Sequence, residues 1–526
     1  MTTTEPGPAA VLKEIPRVAG HAQVRDDGRL VTVRVPAAQL EAVAHLLAAT
    51  ADARLADVFA AEDGAGAEAG TAPGSVMLRL VWGLDANQRY LVVESVIENE
   101  RYPSLSDIAP AAFAEECEIY EQFGIRPDTH KPLNRVMLPP QAGPDFPRLG
   151  HPPAQPPADV HAPHVVGGHA FEFPVGPVRQ LGAESLYYGL VTSGEEVVDL
   201  YLFTWHKHRG VEWRLRGRDA RDALFLVERM EGLSAVANGW AFASAAESAL
   251  GIQPARPAVW ARAIALELER LYNHAAALAA LCQTTGLSVG QSAAEIALER
   301  FLRVNAAVFG HRYLFGAVDV GSPGRMPDLG RLRGDLPGAY GELCRAADAL
   351  LRTNSFVDRL EATGILSAEQ ARRLGLVGPV ARASGVAIDS RADHPAAPYG
   401  KSRATAVTRA EGDVLARLQV MLGEAAESVR LIGELARAAD AGGSLADLVP
   451  GGNPRGAGLG WAESSRGESL AWVAFGDDGL ITRARLRPAA VRNWRGFDDA
   501  CRSQNVFTDI PIIEASFWLT VAGTAR

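Results

Sequence analysis

The residues with the most chemical potential are an acidic run, a histidine pair, a Glu-Arg segment and four cysteines. In AEECEIYEQFGI, Glu116, Glu118, Tyr120 and Glu121 crowd one predicted helix, and carboxylates at that density ordinarily form a solvated face. In HKHRGVE, His206, His208 and Arg209 stand together and by spacing alone read as a surface patch. The stretch ERMEG puts Glu231 beside Arg229 at a helix start. A buried carboxylate next to a guanidinium is a structural pair or a proton carrier, the pair being the commoner outcome. Cys117, Cys282, Cys344 and Cys501 are isolated, with no CxxC or CxxH spacing, which fits reduced core residues and not a metal or disulfide framework. No GxGxxG follows a strand and no P-loop is present, so the chain carries no nucleotide-binding motif of its own.

These residues need elements to position them. Leu30 to Val35, Val76 to Trp82 and Leu91 to Ile97 have the apolar alternation of strands, while Ala37 to Ala51 and Ala111 to Phe123 read as helices, the second stopped by Gly124. They make a small α+β unit over residues 1–140. The segment 141–165, within LPPQAGPDFPRLGHPPAQPPADVHAPH, is proline-rich; its backbone lacks amide donors and helical dihedrals, and it reads as a linker. Residues 166–526 form a second unit. It opens with a β-ribbon over Phe171 to Leu202 and continues in Ala-rich helices (Ala241 to Ala249, Ala261 to Leu281, Ala293 to Phe309, Ala339 to Arg352, Glu411 to Ala438), whose small side chains allow close helix approach. Ser469 to Arg487 alternates as a hairpin turning at Asp477-Asp478-Gly479.

The whole chain agrees with that division, because 526 residues exceed the roughly 250 to 300 at which one core stops growing. With 48% hydrophobic and 22% charged residues the body is expected to fold, and a net charge of -10 argues against nucleic acid as a partner. No basic leader and no run of about 20 apolar residues is seen, so any membrane contact is expected through partner subunits, with the chain cytoplasmic and peripheral.

Several motifs, in order, resemble a known family. Tyr102-Pro103-Ser104, the acidic helix with Glu116 and Glu118, Phe123 to Ile125, His130 and Arg135 resemble the signature of the C-type subunit of complex I, where this segment is docking surface. Gly176-Pro177-Val178, HKHRGVE, ERMEGLSAVANGWAFASAAE, RAIALELERLYNH, GHRYLFG, GPVARASG with Asp389, EGDVLAR, ESSRGE and DIPIIEAS resemble the large subunit of membrane-bound (group 4) nickel-iron hydrogenases and its relative, the D-type subunit of complex I. The order, C-type then D-type in one chain, is similar to the fused large subunit of formate hydrogenlyase.

The resemblance implies a subunit of a complex I-like oxidoreductase complex of NAD(P)H:quinone type. It would pack on a small iron-sulfur partner, similar to the B-type subunit of complex I, that holds the cluster, and through it on membrane-embedded antiporter-like subunits. In the hydrogenases two cysteine pairs hold nickel and iron, because such a centre needs soft thiolates. Here the corresponding positions are Glu231, Ser234, Thr520 and Gly523, with Asn238 where a histidine is expected, so no metal and no hydrogenase activity are expected. In the complex I branch the vacated cavity is the quinone chamber. The histidine that follows Gly-Pro there is Arg179 here, and a tyrosine position falls on Gly232. The candidates for a rebuilt quinone site are His206, His208 and Arg179, with Glu231 and Arg229 as the catalytic candidates. The other reading is a non-catalytic scaffold whose cavity is filled with side chains.

Overall fold

The computed structural model describes residues 8–20, 22–50, 53–62, 75–129, 132–143, 145–158, 170–179, 184–440, 456–502 and 504–526. The architecture is α+β. In the N-terminal part, five strands pair in the order Gln23–Asp26, Leu30–Arg34, Arg89–Ile97, Val76–Leu84, Ala53–Glu62. The Leu30–Arg34 and Arg89–Ile97 strands run parallel and the other neighbours antiparallel. One face, with Val58, Leu78, Leu80, Leu91 and Val93, packs under the helices Pro8–Ala19 and Leu40–Ala48. The alternate residues Phe59, Val81, Tyr90 and Val92 point the other way and meet Leu459, Leu470 and Trp472 of a second sheet, so the N-terminal sheet is buried on both faces.

That second sheet has three strands, Ala457–Ser464, Gly467–Phe475 and Ile481–Arg487, one more than the expected hairpin. It lies on the helix Ala235–Leu250. A strand of small residues, AGLGWAES, does not announce itself by apolar alternation, and its glycines are there for contact. A methyl group on Gly460 would sit 2.1 Å from the carbonyl oxygen of Ala241, and one on Gly458 2.3 Å from that of Ala245. The helices Arg256–Thr284, Ser288–Phe309, Leu329–Leu351 and Val414–Asp440 complete the main core. The expected ribbon is a three-stranded sheet of Ala170–Val175, Tyr187–Ser193 and Glu196–Phe203. Cys117, Cys282 and Cys501 are buried. No helix of the described residues is long and apolar enough to cross a membrane.

The acidic helix, Phe113–Phe123, corrects an expectation: Glu115, Glu116, Glu118 and Glu121 are all buried. Each has a task. Glu116 accepts from the amide of Leu105 at 2.8 Å and the hydroxyl of Ser104 at 3.0 Å, fixing the Pro-Ser turn. Glu121 accepts from the amides of Met137 (2.9 Å) and Val136 (3.2 Å). Glu118 receives Arg485 at 2.5 Å and Arg526 at 2.6 Å, and Glu115 receives Arg492 at 3.2 Å. The solvated-face reading fails because the basic partners are more than 350 residues away in sequence and invisible to local pattern.

The described part of the proline-rich segment is also attached. Leu149 is buried and its amide donates to the side chain of Gln122 at 3.2 Å, while Ala158 and Leu133 share a backbone hydrogen bond of 2.8 Å. His130 and residues 144 and 159–165 of the expected linker lie outside the described residues.

Candidate functional site

The site is built where two chain segments meet a turn. The helix Ala220–Glu228 ends, Glu231 takes an extended conformation (φ -143°, ψ 98°), a short 3-10 turn spans Gly232–Ser234, and the helix Ala235–Leu250 begins. Opposite, the helix Ile510–Phe517 stops at Trp518, which is left-handed (φ 50°, ψ 41°) and turns the chain into Leu519 to Gly523. The tight turn between strands Ala457–Ser464 and Gly467–Phe475 supplies Arg466.

Arg466 joins these pieces. Its Nη2 lies 3.0 Å from Glu231 Oε1 and donates to Ser234 Oγ, and its Nη1 reaches the carbonyl of Trp518 at 3.4 Å. Thr520 donates its hydroxyl to the same Glu231 Oε1 and accepts from the amide of Gly523 at 3.1 Å. Asn238 donates to Glu231 Oε2 at 3.3 Å. A methyl group on Gly523 would fall 3.0 Å from Glu231 Oε1 and 2.9 Å from Ala490, so this position has no room for a side chain without movement. Glu231, Ser234, Thr520 and Gly523 are thus brought together, with Asn238, around one guanidinium. Glu231 and Ser234 are 1% and 0% exposed, so the assembly is closed to water.

Arg229 does not pair with Glu231. It caps the preceding helix, turns back so that Nη1 donates to the Phe225 carbonyl at 2.9 Å, lies 3.6 Å over the Phe225 ring, and meets Glu228 at 3.5 Å. Its side chain is 38% exposed. The reason is local: Arg229 still has helical dihedrals whereas Glu231 is extended, and the two side chains leave the chain in different directions.

Of the quinone candidates, His206 is exposed and packs near Tyr187 and Trp205. His208 is half-buried beside Phe146; burial, then the positive charge of Arg526, lowers it to about 4, so its ring is neutral. Arg179 is bound by Glu514 at 2.7 and 2.9 Å. None of the three has a hydrogen bond to the Glu231 group among the bonds of the described residues.

Two other residues matter more: Arg209, expected in a surface patch but partly buried here, and Glu269, not singled out in the sequence. Arg209 donates through Nη2 to the carbonyls of Met230 (2.5 Å) and Ala522 (2.6 Å), clamping the two segments that carry Glu231 and Thr520. Glu269, fully buried, accepts from the amides of Val236 (2.7 Å) and Ala237 (3.1 Å) at the start of the helix Ala235–Leu250. Burial pushes its carboxyl up to about 8, with Glu231 adding to the rise and the two amides and Arg466 opposing it. Arg466 itself stands in ESSRGE and Glu269 in ELERLYNH; the motifs were legible, the contacts were not.

A layered α+β scaffold around a closed polar centre, built from the start of one helix and the turn after another, defines the class of protein. Residues 33–154 match the family described as respiratory-chain NADH dehydrogenase, 30 Kd subunit, and residues 338–450 match the 49 Kd subunit. Formate hydrogenlyase subunit 5 of Escherichia coli (strain K12) is 29% identical over 452 residues, covering 81% of this chain and 77% of that protein. The D 2 subunit of the NADH-quinone oxidoreductase of Salinispora tropica is 32% identical over 330 residues, 61% of this chain and 84% of that protein. A chain in the structure of the membrane-bound sulfane sulfur reductase, an archaeal respiratory membrane complex, superposes with a TM-score of 0.61 at 22% identity, covering 69% of this chain and all of that one, which speaks for the fold alone. The chain belongs to the complex I and group 4 hydrogenase large-subunit family, with 30 Kd-type and 49 Kd-type domains fused in one polypeptide.

Proposed function

We propose that the chain is a peripheral subunit of a complex I-like, membrane-associated electron-transfer assembly and has no nickel-iron centre of its own. The observation that carries this is the closed Arg466–Glu231–Ser234–Thr520 group. Three of the four positions offer oxygen, Gly523 offers no donor, and a guanidinium occupies their common bonds. A soft, electron-rich metal centre takes thiolates, and these positions supply none; the residues present do not fit the group. In this reading the cluster and the reducible substrate belong to partners: a small iron-sulfur subunit, with membrane-embedded antiporter-like subunits beyond it. NAD chemistry, where the assembly performs it, is done by another subunit.

A second reading is favoured by the same closure. Because Glu231 is fully partnered, the centre acts as a scaffold tie instead of a quinone chamber, and the redox path runs through the partner-facing surfaces. Glu231→Gln separates the two. It keeps volume and hydrogen-bonding capacity but removes the charge. In an active centre, turnover per assembled complex falls as well as any stability lost with the Arg466 pair. In a scaffold, complex yield and melting temperature fall and the turnover of what assembles stays normal. One nickel per chain by elemental analysis of that complex would end both readings.

A further inference from the structure

Behind the Arg466 turn lies a second ionic group, almost wholly buried, whose charges do not balance. Glu267 receives Arg391 at 3.0 Å and Arg270 at 3.2 Å, besides the hydroxyls of Ser428 and Tyr399, both at 2.6 Å. Glu424 receives Arg382 at 2.7 Å and the His274 ring at 3.0 Å, with Arg270 at 3.7 Å. Asp389 receives Arg391 at 2.7 Å, with Arg382 at 3.6 Å. Glu463 receives Arg382 at 2.9 Å and the amide of Ser390 at 3.0 Å. Three guanidiniums and one imidazole, His274, therefore face four carboxylates, and the charges balance only if the group holds one proton.

The neighbours do not supply the missing positive charge. Across Ser390, Glu468 and Asp85 are matched by Arg54 and Arg487, and the His394 ring is engaged by Asp85 at 2.8 Å. Asp393 bonds the amide of Asp389 and adds a further acid. On the other side, Arg466 is bound to Glu231. An uncompensated charge at such depth costs several kcal/mol, so the group retains one proton. Glu463 has the fewest donors of the four acids.

We propose that this group is a proton-binding site and that Glu463 is the carboxyl that holds the proton. Burial, and then the charge of Asp389, raises Glu463, with the three arginines opposing. Against the same burial, Arg391 and Arg270 hold Glu267 down to about 2, and Arg382 with His274 holds Glu424 there. Burial lowers His274, with Glu424 opposing, which disfavours the imidazole as the holder of the proton. The bound proton is one hairpin turn from the centre: Arg270 also donates to the carbonyls of Glu463 (2.7 Å) and Ser464 (2.8 Å), directly before Arg466. The site stands whether the centre is catalytic or a scaffold.

Glu463→Gln copies the neutral acid and tests this on the full-length chain. A group raised in the folded state contributes stability that is complete below the ordinary carboxylate range and is lost as pH rises through its folded value. Glutamine does not titrate, so the variant melts level with wild type at about pH 4 and increasingly above it towards about pH 8. The infrared band of a protonated carboxyl, identified by its shift in heavy water, decreases in the variant. A Glu463→Gln chain that melts well below wild type at neutral pH or does not fold, or an unchanged carboxyl band, would overturn the assignment.

Discussion

At the centre of the site a single guanidinium joins the turn at Glu231 to the segment after Trp518. Arg466 binds Glu231 and Ser234, and Glu231 in turn holds Thr520 and Asn238. Removing one member of a buried ion pair leaves the other uncompensated, so Arg466→Ala is expected to cost about 3 to 5 kcal/mol, read as a drop in melting temperature and denaturant midpoint. The double variant Arg466→Met with Glu231→Met should recover most of that loss, because replacing both charges by apolar groups of similar volume is often neutral. A double variant no better than the single one would mean that the group is held by its hydroxyl and amide bonds and not by the charge pair. The positions Glu231, Ser234, Thr520 and Gly523 were singled out in the sequence through the resemblance of their motifs. Their filling was not, since the partner is 232 residues from Ser234, and Arg229, the guanidinium nearest in sequence, points away onto Phe225.

The elements that hold this centre depend on contacts between small residues. The helix Ala235–Leu250 carries Asn238 near its start, and the sheet that presents Arg466 lies against it through Gly458 and Gly460. The obstacle to a larger residue at Gly460 is backbone, the carbonyl oxygen of Ala241 at 2.1 Å and the amide of Ala245 at 2.5 Å from an added methyl, and neither can rotate aside. Gly460→Ala is therefore expected to destabilise by about 1 to 3 kcal/mol, measured by thermal unfolding, although alanine suits a strand better than glycine. Gly479→Ala is the control: nothing lies within 4 Å of its added methyl, and its loss comes only from a positive φ of 75°. Long helices with an apolar period were legible element by element. The strands Ala53–Glu62 and Ala457–Ser464 were not, because alanine and glycine carry little strand signal and only their opposite neighbours make them strands.

At the scale of the whole molecule, the N-terminal part has its own core, yet the seam to the rest is bridged by buried charge. Arg485 binds Asp57 at 2.8 Å and Glu118 at 2.5 Å, Arg54 binds Glu468 at 2.7 Å, His394 binds Asp85 at 2.8 Å, and Arg79 lies 4.4 Å over the ring of Trp472. The composition shift at the prolines signals a division of the chain, but nothing local in sequence signals that the division is bridged by buried charge. The two sides are expected to stay together after the covalent link is cut. Arg485 is the place to test this, since it is 2% exposed and holds two carboxylates of the N-terminal part at once. In Arg485→Ala both Asp57 and Glu118 lose their shared partner. Glu118 keeps Arg526, so the uncompensated charge falls mainly on Asp57, which Arg485 holds below the usual carboxylate range against the opposing effect of burial. The cost should be about 3 to 5 kcal/mol, and it should shrink as pH falls through the ordinary carboxylate range, because a protonated Asp57 no longer needs the arginine. Cleavage near the prolines followed by size exclusion reads it out: wild-type fragments co-elute at neutral pH and the variant's separate. Wild-type fragments that part without any substitution would show that the seam is a contact of convenience, and that the two units are joined by the chain alone.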